Sequence, residues 1–298
     1  MQRYRVALQY IGTPYSGWQR NPDALKPAVQ DVVEAALYGF VGKGNFEPCY
    51  ISSRTDAGVH ALHNVLHVDL LRRARQVGEV LEPHAPETVC RALNALLRGS
   101  GVQILDCQAV PREGQGSFHA RFAAKERKYA YRLLTGRSVF EAERAWCLDL
   151  QSSQQKLNVE AMHAAAQVLV GQRYDFSSFR GKDCQAKSPI KMIRSIDVVR
   201  IRPELSHTET FGELIHVHVC AKSFLYHMVR NIVGAVTAVG MGQLPFDAMK
   251  DILEARDRSV APPMAPAQGL FLERVLYEED LRNQDEARKD GLENEVVE

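Results

Sequence analysis

The sequence predicts a protein of mixed strands and helices, arranged in two halves of similar content. Apolar residues recur at helical spacing in some stretches and alternate with polar residues in others, which predicts amphipathic helices and half-buried strands. A segment rich in turn formers, residues 111–117, separates the two halves. At 298 residues the chain exceeds the usual size of one domain, so two domains or one large domain are expected.

The first half begins with a strand at residues 4–11, which ends in the turn formers Gly12-Thr-Pro14. Apolar side chains between Val29 and Phe40 recur at helical spacing and predict an amphipathic helix at 28–40. The other elements predicted in this half are strands at 49–53, 64–70 and 101–110 and a helix at 86–98.

The second half contains the longest predicted helix, at about 223–240, because apolar residues from Leu225 to Val239 share one face. Just before it, side chains alternate between apolar and polar over Leu214–Ala221, which predicts a strand. The other elements predicted in this half are strands at 127–134 and 192–202, a helix at 159–170 and a polar loop at 203–212.

Charge is distributed unevenly along the chain. Residues 278–298 contain nine acidic and three basic residues, and we expect this acidic tail to be disordered. The remaining residues, 1–277, carry seven more basic than acidic side chains, although the whole chain has a net charge of +1. A basic body is compatible with a polyanion such as nucleic acid, but many basic proteins bind none.

Cysteine spacing and hydropathy indicate the compartment. The six cysteines form no CxxC pair, so reduced thiols are expected rather than a zinc ribbon or disulfide staples. No run of 18 apolar residues predicts a membrane span, and the N-terminus has no signal-peptide core. We therefore expect a cytoplasmic protein, with the nucleus and an organelle matrix as alternatives.

The sequence lacks the common motifs of cofactor and metal sites. It contains no GxxxxGK[ST], no GxSxG and no HExxH. His60, His63 and His67 would share one face of a helix, but the strand predicted at 64–70 separates them. Surface or turn positions are the favoured interpretation, so neither a metal nor a cofactor is predicted.

A compact turn at Ser53–Ala61 presents Asp56 close to Arg54 between two apolar strands. A carboxylate beside a guanidinium is suited to catalysis, but an aspartate before Ala-Gly also closes turns by an Asx hydrogen bond. From spacing alone, the Asx turn is the simpler interpretation.

Two further segments contain polar groups that a structural role explains poorly. In Phe118–Tyr131, basic residues alternate with aromatic rings, which suits phosphates and exposed bases, although a half-buried strand with a basic face is an equal alternative. In Ser223–Gly234, Arg230 lies beside the apolar stripe of the helix. A guanidinium there usually has a carboxylate partner, which a structural salt bridge would also explain.

Taken together, these segments resemble the motifs of the tRNA pseudouridine synthase A family. The resemblance covers residues 4–277 and centres on Arg54-Thr-Asp-Ala-Gly-Val-His-Ala61. Departures occur at Ser53, Ile11 and Lys191, where the family usually has glycine, aspartate and arginine. The other matching motifs, in order, are Gly17-Trp-Gln-Arg20, Val29-Gln30, Phe118-His-Ala-Arg-Phe122, Arg127-Lys-Tyr129, Asp175-Phe-Ser-Ser-Phe-Arg180, His227-Met-Val-Arg-Asn-Ile-Val-Gly234 and Gly269-Leu270.

The resemblance implies an α+β fold with two similar halves, built on mixed, mostly antiparallel sheets with flanking helices and an active-site cleft between them. Residues 1–112 would form the half that contains the catalytic Asp56. Residues 113–277 would contain Tyr129, which stacks on the target base, and Arg230, the basic partner of the aspartate.

The implied activity is the isomerisation of uridine to pseudouridine in the anticodon arm of tRNA, near positions 38–40, by a homodimer without a cofactor. A carboxylate can add covalently to the substrate or remove a ribose proton on a glycal route. Burial would raise the pKa of Asp56, and a nearby arginine would lower it. The candidate RNA contacts are Arg54, Arg121, Arg127, Lys128, Arg180 and Lys187.

Two other functions remain open at this point. The first is a tRNA-binding protein on the same scaffold that does not catalyse the reaction. The second is a synthase that acts on another RNA.

Overall fold

The structure is a computed structural model that describes residues 1–72, 81–114, 116–150, 156–201 and 212–283. In this part of the chain ten strands form one sheet. The strands are β1 (Gln2–Tyr10), β2 (Tyr50–Ile51), β3 (His60–Leu70), β4 (Val102–Val110), β5 (Glu126–Leu134), β6 (Trp146–Cys147), β7 (Arg173–Asp175), β8 (Ile190–Arg200), β9 (Leu214–Ala221) and β10 (Leu270–Leu276).

The sheet is mixed and mostly antiparallel, which confirms the α+β class expected from the sequence. Its main path runs β4-β1-β3-β10-β5-β9-β8-β7, while β2 pairs with β3 and β6 with β5. The pairs β3–β10 and β5–β6 are parallel, and the other pairs are antiparallel.

Helices cover one face of the sheet, except the short helix Ala120–Ala123, which lies on the opposite face beside His67. The helices are α1 (Val29–Val41), α2 (Pro86–Leu96), α3 (Ala120–Ala123), α4 (Val159–Gln167), α5 (Met228–Gly240) and α6 (Ala248–Ala255). Alternate residues of β1, such as Tyr4 and Leu8, point to this face and are buried, while Arg3 and Arg5 point to the other. Every residue of α5 is buried, so this helix is the centre of the second half. No helix within the described ranges is both long and apolar enough to cross a bilayer.

The strand β10 joins the two halves of the sheet. It pairs with β3 through Phe271–His60 and Leu272–Ala61, and with β5 along most of its length. The strands β1–β4 come from residues before the turn-rich segment at 111–117, and the others come from residues after it. The last strand of the chain therefore lies at the centre of the sheet, between segments that the sequence separates widely.

The helix predicted at 223–240 begins later than the sequence suggests. It starts at Met228, because His227 has a left-handed backbone conformation with φ +62° that a helix cannot include. The sequence analysis did not predict β10 or α6 at all. Most of the polar loop predicted at 203–212 lies outside the described residues.

The beginning of the acidic tail differs from the disorder expected for it. Residues 278–283 are helical and pair with basic side chains of the body. Glu279 pairs with Arg5, and Glu278 Oε2 lies 2.8 Å from Lys125 Nζ. Opposite charges thus hold this segment on the sheet, while residues 284–298 lie outside the described part of the chain.

Candidate active site

The turn between β2 and β3 presents Asp56 and is closed by backbone hydrogen bonds. Val59 N donates to Asp56 O at 3.1 Å, and Trp18 N donates to Thr55 O at 3.0 Å. The Thr55 hydroxyl lies 2.8 Å from Tyr10 OH. Within the described residues, the ion-pair partners of the Asp56 carboxylate are side chains of α5 and its N-cap. The Asx-turn interpretation therefore has no support from the geometry of this turn.

Gly17 allows the first loop of the chain to approach the Asp56 turn closely. The two residues form an isolated antiparallel bridge, and Gly17 has φ +106°. A Cβ at Gly17 would lie 2.7 Å from Thr55 O, so any other residue would combine a clash with backbone strain. The close contact fixes the back of the turn against the loop that contains Trp18.

Arg230 projects from the first turn of α5 towards Asp56. Its Nη1 lies 3.5 Å from Asp56 Oδ2. Its Nε donates to Ala265 O at 2.8 Å, and its own carbonyl oxygen accepts from Ala265 N at 3.2 Å. Because Ala265 holds the side chain from behind, the guanidinium is fixed in place before any substrate arrives.

His227 is a second neighbour of Asp56, which the sequence analysis did not single out. Its Nε2 lies 3.5 Å from Asp56 Oδ2, and its ring stacks on Tyr226 at 3.6 Å between centroids. A Cβ at Gly181 would lie 2.9 Å from His227 Nδ1, so the glycine makes room for the ring. The sequence offered only the proximity of His227 to Arg230 in the same motif, because the left-handed conformation that directs the ring towards Asp56 leaves no local pattern.

Burial dominates the electrostatics of Asp56. Removal from water raises the pKa of its carboxyl group, while the charges of His227 and Arg230 lower it by less. Burial also lowers the pKa of His227, although the Asp56 charge opposes this shift. The expectation that burial and Arg230 act in opposite directions agrees with these shifts, and burial has the larger effect.

Tyr129 lies on β5 beside the Asp56 turn. Its hydroxyl is 2.9 Å from Ser53 Oγ, and its ring meets the edge of Phe224 with centroids 5.3 Å apart. Burial raises the pKa of Tyr129 to about 12, and the nearby Asp56 charge contributes in the same direction. The structure thus brings Tyr129, Asp56 and Arg230 to one location, from three separate segments of the chain.

Arg54 and Arg121 are the predicted RNA contacts that lie exposed beside this location. Burial lowers the pKa of Arg54, and the charge of Arg121 lowers it further, so the two cations are near enough to repel each other. Neither has an ion-pair partner in the part of the chain that the structure describes. Two close guanidinium groups without a carboxylate form a ready site for a phosphate.

Arg127, another predicted RNA contact, is buried and binds the protein backbone. It is 7% exposed, and its Nη2 donates to Ser52 O and to Arg121 O, both at 2.9 Å. Its Nη1 donates to Lys222 O at 2.6 Å. With its donors bound to carbonyl groups, Arg127 is not available for the phosphate contact expected from the sequence.

The other three predicted RNA contacts lie in different surroundings. Lys128 points to the opposite face of β5 from Tyr129, where its charge lowers the pKa of Glu273. Arg180 Nη2 donates to Cys184 O at 2.6 Å and to Ala186 O at 2.8 Å, so it shapes the loop that follows it. Lys187, at the end of that loop, is exposed.

Two of the histidines considered as metal ligands, His60 and His67, are buried in β3 and support the backbone, so the surface or turn positions expected for them are wrong. Among the residues that the structure describes, no three His, Cys, Asp or Glu side chains are grouped as a metal site. His60 Nδ1 accepts a hydrogen bond from Gly12 N, and His67 Nδ1 accepts one from Ala120 N, each at 3.1 Å. Both rings thus fix loops that border the site.

Comparison with known proteins gives the class and then the family. Residues 165–278 match the family model described as tRNA pseudouridine synthase. Proteins named tRNA pseudouridine synthase A align over nearly the whole chain. The protein of Allorhizobium ampelinum is 40% identical, over 94% of this chain and 96% of the relative. That of Rhodospirillum centenum is 41% identical, over 93% of this chain and 100% of the relative. The chain belongs to the tRNA pseudouridine synthase A family.

The raised pKa of Asp56 generates a prediction about stability. A group whose pKa is raised on folding stabilises the fold at low pH, and this contribution is lost as the pH rises through the folded-state pKa. Asp56→Asn mimics the neutral form, so we expect its free energy of unfolding at pH 7–8 to equal or exceed that of the wild type. The advantage should shrink towards zero near pH 4, below which aspartate is neutral in both states.

Urea unfolding between pH 4 and pH 8 measures this difference. The exposed Asp23→Asn variant serves as the control and should show no such trend. An Asp56→Asn protein that is less stable than the wild type at pH 8 would show that the carboxylate stabilises the fold.

Proposed function

We propose that the chain isomerises uridine to pseudouridine in the anticodon arm of tRNA, at positions 38–40, with Asp56 as the catalytic group. Membership of the family makes the chain a tRNA pseudouridine synthase, which is an isomerase. The observation that supports Asp56 is the position of its carboxylate, 3.5 Å from both Arg230 Nη1 and His227 Nε2 in a turn that does not need it for closure.

The reaction requires a group that can act on the ribose or on the base. The bond between N1 and C1′ breaks, the uracil turns, and C5 bonds to the same C1′, after which C5 loses its proton and N1 is protonated. Asp56 can add to the substrate as a nucleophile or remove the C2′ proton on a glycal route. Both routes need the ionised carboxylate, which the charge of Arg230 favours. A substrate deuterated at C2′ distinguishes the routes, because only the glycal route breaks that C–H bond.

The uracil must leave its stack to reach Asp56, at a cost of a few kcal/mol. Tyr129 is placed to offset part of this cost by stacking, because its ring lies next to the Asp56 turn and is held by Ser53. Arg230 acts as the basic partner of the carboxylate. In this proposal Arg54 and Arg121 bind the adjacent phosphates, Lys187 extends the basic surface, and Arg127 and Arg180 shape the backbone beneath it.

We also propose that the chain acts as a homodimer in the cytoplasm, with one tRNA reaching both subunits. The resemblance to the family supports the dimer, and six free cysteines agree with a reducing compartment. Light scattering of the purified protein should give twice the 33.4 kDa mass of one chain. A mass of 33.4 kDa at micromolar concentration would contradict the dimer.

Removal of the Asp56 charge should abolish turnover without loss of the fold or of tRNA binding. We expect Asp56→Asn to slow single-turnover pseudouridine formation by about 10⁴-fold or more, because an amide is neither a nucleophile nor a base here. Binding of tRNA should be equal or slightly tighter, since a negative charge beside a polyanion is lost. Pseudouridine mapping of the product tests positions 38–40 in the same experiment, and Asp23→Asn is the control.

A wild-type single-turnover rate in Asp56→Asn would favour the non-catalytic binding protein as the interpretation of this site. Modification confined to uridines outside tRNA would favour the synthase for another RNA.

Arg230 should set the acid limb of the pH–rate profile. Turnover falls as the pH decreases through the pKa of Asp56, which the charge of Arg230 lowers. Arg230→Gln should therefore move the acid limb to higher pH, whereas Arg230→Lys keeps the charge and should move it less. An acid limb that stays at the wild-type pH in Arg230→Gln would show that Asp56 does not control it.

The basic pair should contribute to the salt dependence of tRNA binding. Replacing Arg54 and Arg121 by glutamine should reduce the slope of log K against log salt by about 1 for each lost phosphate contact. The control is Arg91→Gln, an exposed charge on α2. If the double variant keeps the wild-type slope, the phosphates lie elsewhere on the surface.

A further inference from the structure

Four aromatic side chains form a continuous series beside the basic pair. Tyr50 stacks on His67 with centroids 5.1 Å apart and planes 10° from parallel. His67 meets His119 at 4.6 Å, and His119 meets Phe122 at 4.3 Å with planes 33° apart. We call these four rings the aromatic ledge. Burial lowers the pKa of His67 to about 4 and also lowers that of His119, so both imidazoles are neutral at pH 7.

Phe122, the outer ring of the aromatic ledge, faces solvent, although phenylalanine side chains are usually buried. Phe122 is 76% exposed. Exposed phenylalanine is unfavourable because its apolar area stays in contact with water. The fold does not need this ring for its core, so the ring is free to contact a ligand.

The backbone around Phe122 is held rigidly. His119 Nδ1 accepts hydrogen bonds from Arg121 N at 3.2 Å and Phe122 N at 3.4 Å. Ala120 N donates to His67, and the buried Arg127 donates to Arg121 O. The ring is thus presented in a fixed position, which lowers the entropy cost of binding.

The charges near Phe122 identify the class of ligand. The Arg121 guanidinium carbon lies 5.9 Å from the centre of the Phe122 ring, and Arg54 is close to Arg121. Neither cation has an ion-pair partner within the described residues. An exposed ring next to two unpaired cations fits a nucleotide, because the base can stack while the phosphate binds the guanidinium groups.

Phe122 and Asp56 are placed to contact different nucleotides. The Arg127 side chain lies between them. It donates to the carbonyl of Ser52, which precedes the Asp56 turn, and to the carbonyl of Arg121, which is the neighbour of Phe122. A base that stacks on Phe122 is therefore separated from the site of reaction. We expect a nucleotide next to the target uridine in the same RNA strand to occupy the position over Phe122.

We propose that Phe122, backed by His119, stacks on an unpaired nucleobase that flanks the target uridine, while Arg121 and Arg54 bind the phosphate beside it. This inference rests on the proposed function, because it takes tRNA as the ligand that binds beside Asp56. The ledge then holds the loop of the RNA open next to the flipped uridine.

Binding measurements with an anticodon stem-loop RNA test the stacking directly. Phe122→Ala should weaken binding by about 5- to 150-fold, the range for loss of one base–aromatic stack, and Phe122→Trp should restore it. The control is Phe246→Ala, which removes a ring that is 55% exposed on the loop before α6. Equal affinity of Phe122→Ala and the wild type would overturn the proposal.

A scan of abasic substitutions around the target uridine identifies the partner base. At the contacted nucleotide, loss of the base should weaken wild-type binding, and Phe122→Ala should then cause no further loss. If every abasic RNA still shows the full effect of Phe122→Ala, the ring does not stack on a base.

Two further measurements separate this proposal from its alternatives. Phe122→Ala should leave the mass in solution unchanged, and a change in oligomeric state would show that a second copy of the chain covers the ring. Wild-type turnover on the same RNA tests the proposed function, and the coupling between Phe122 and the base tests this inference. A stem-loop that is modified normally but shows no coupling would overturn the inference alone.

Discussion

One buried guanidinium, that of Arg127, connects the segments from which the site is built. It binds Ser52 O, which precedes the Asp56 turn, and Lys222 O, which precedes the segment leading to α5. It also binds Arg121 O, next to Phe122. A buried charge is tolerated only when its donors are satisfied, and here carbonyl groups from distant segments satisfy them. The Arg127 side chain therefore ties together the turn, the backbone of Arg121 and the end of β9. It adds to the Gly17–Asp56 bridge and the Ser53–Tyr129 hydrogen bond at the same turn.

The site combines two features that oppose folding. The Asp56 carboxylate is removed from water, and His227 adopts a left-handed backbone that is unfavourable for a residue with a side chain. The surrounding structure offsets both, through Ala265 behind Arg230 and through the space that Gly181 leaves beside the histidine. Such local strain is common where a protein holds reactive groups in a fixed position, since residues selected only for stability would be arranged differently. The rest of the sheet, with its continuous apolar core, provides the stability that tolerates it.

Periodicity predicted most of the elements, because each buries one regular face, and the resemblance to the family implied the α+β class. Periodicity missed β10, in which a bulge between Leu272 and Arg274 interrupts the alternation that marks a strand. The resemblance to the family implied that Asp56, Tyr129 and Arg230 belong to one site, and the three side chains lie close together. Spacing could not separate Arg127 from Lys128, since neighbouring strand residues point to opposite faces and the sequence does not say which face is buried. The contribution of His227 depends on a backbone conformation that no local pattern indicates.

The central position of β10 has a consequence for synthesis of the protein. Translation proceeds from the N-terminus, so β3 and β5 emerge long before residues 270–276 are made. During that interval each has an unpaired edge in the middle of what will become one sheet, and such edges pair readily with other chains. The nascent chain must keep both edges apart from other partners until its last strand arrives. Ribosomes that stall before β10 would release a product with two open edges, which makes aggregation the natural fate of truncated chains.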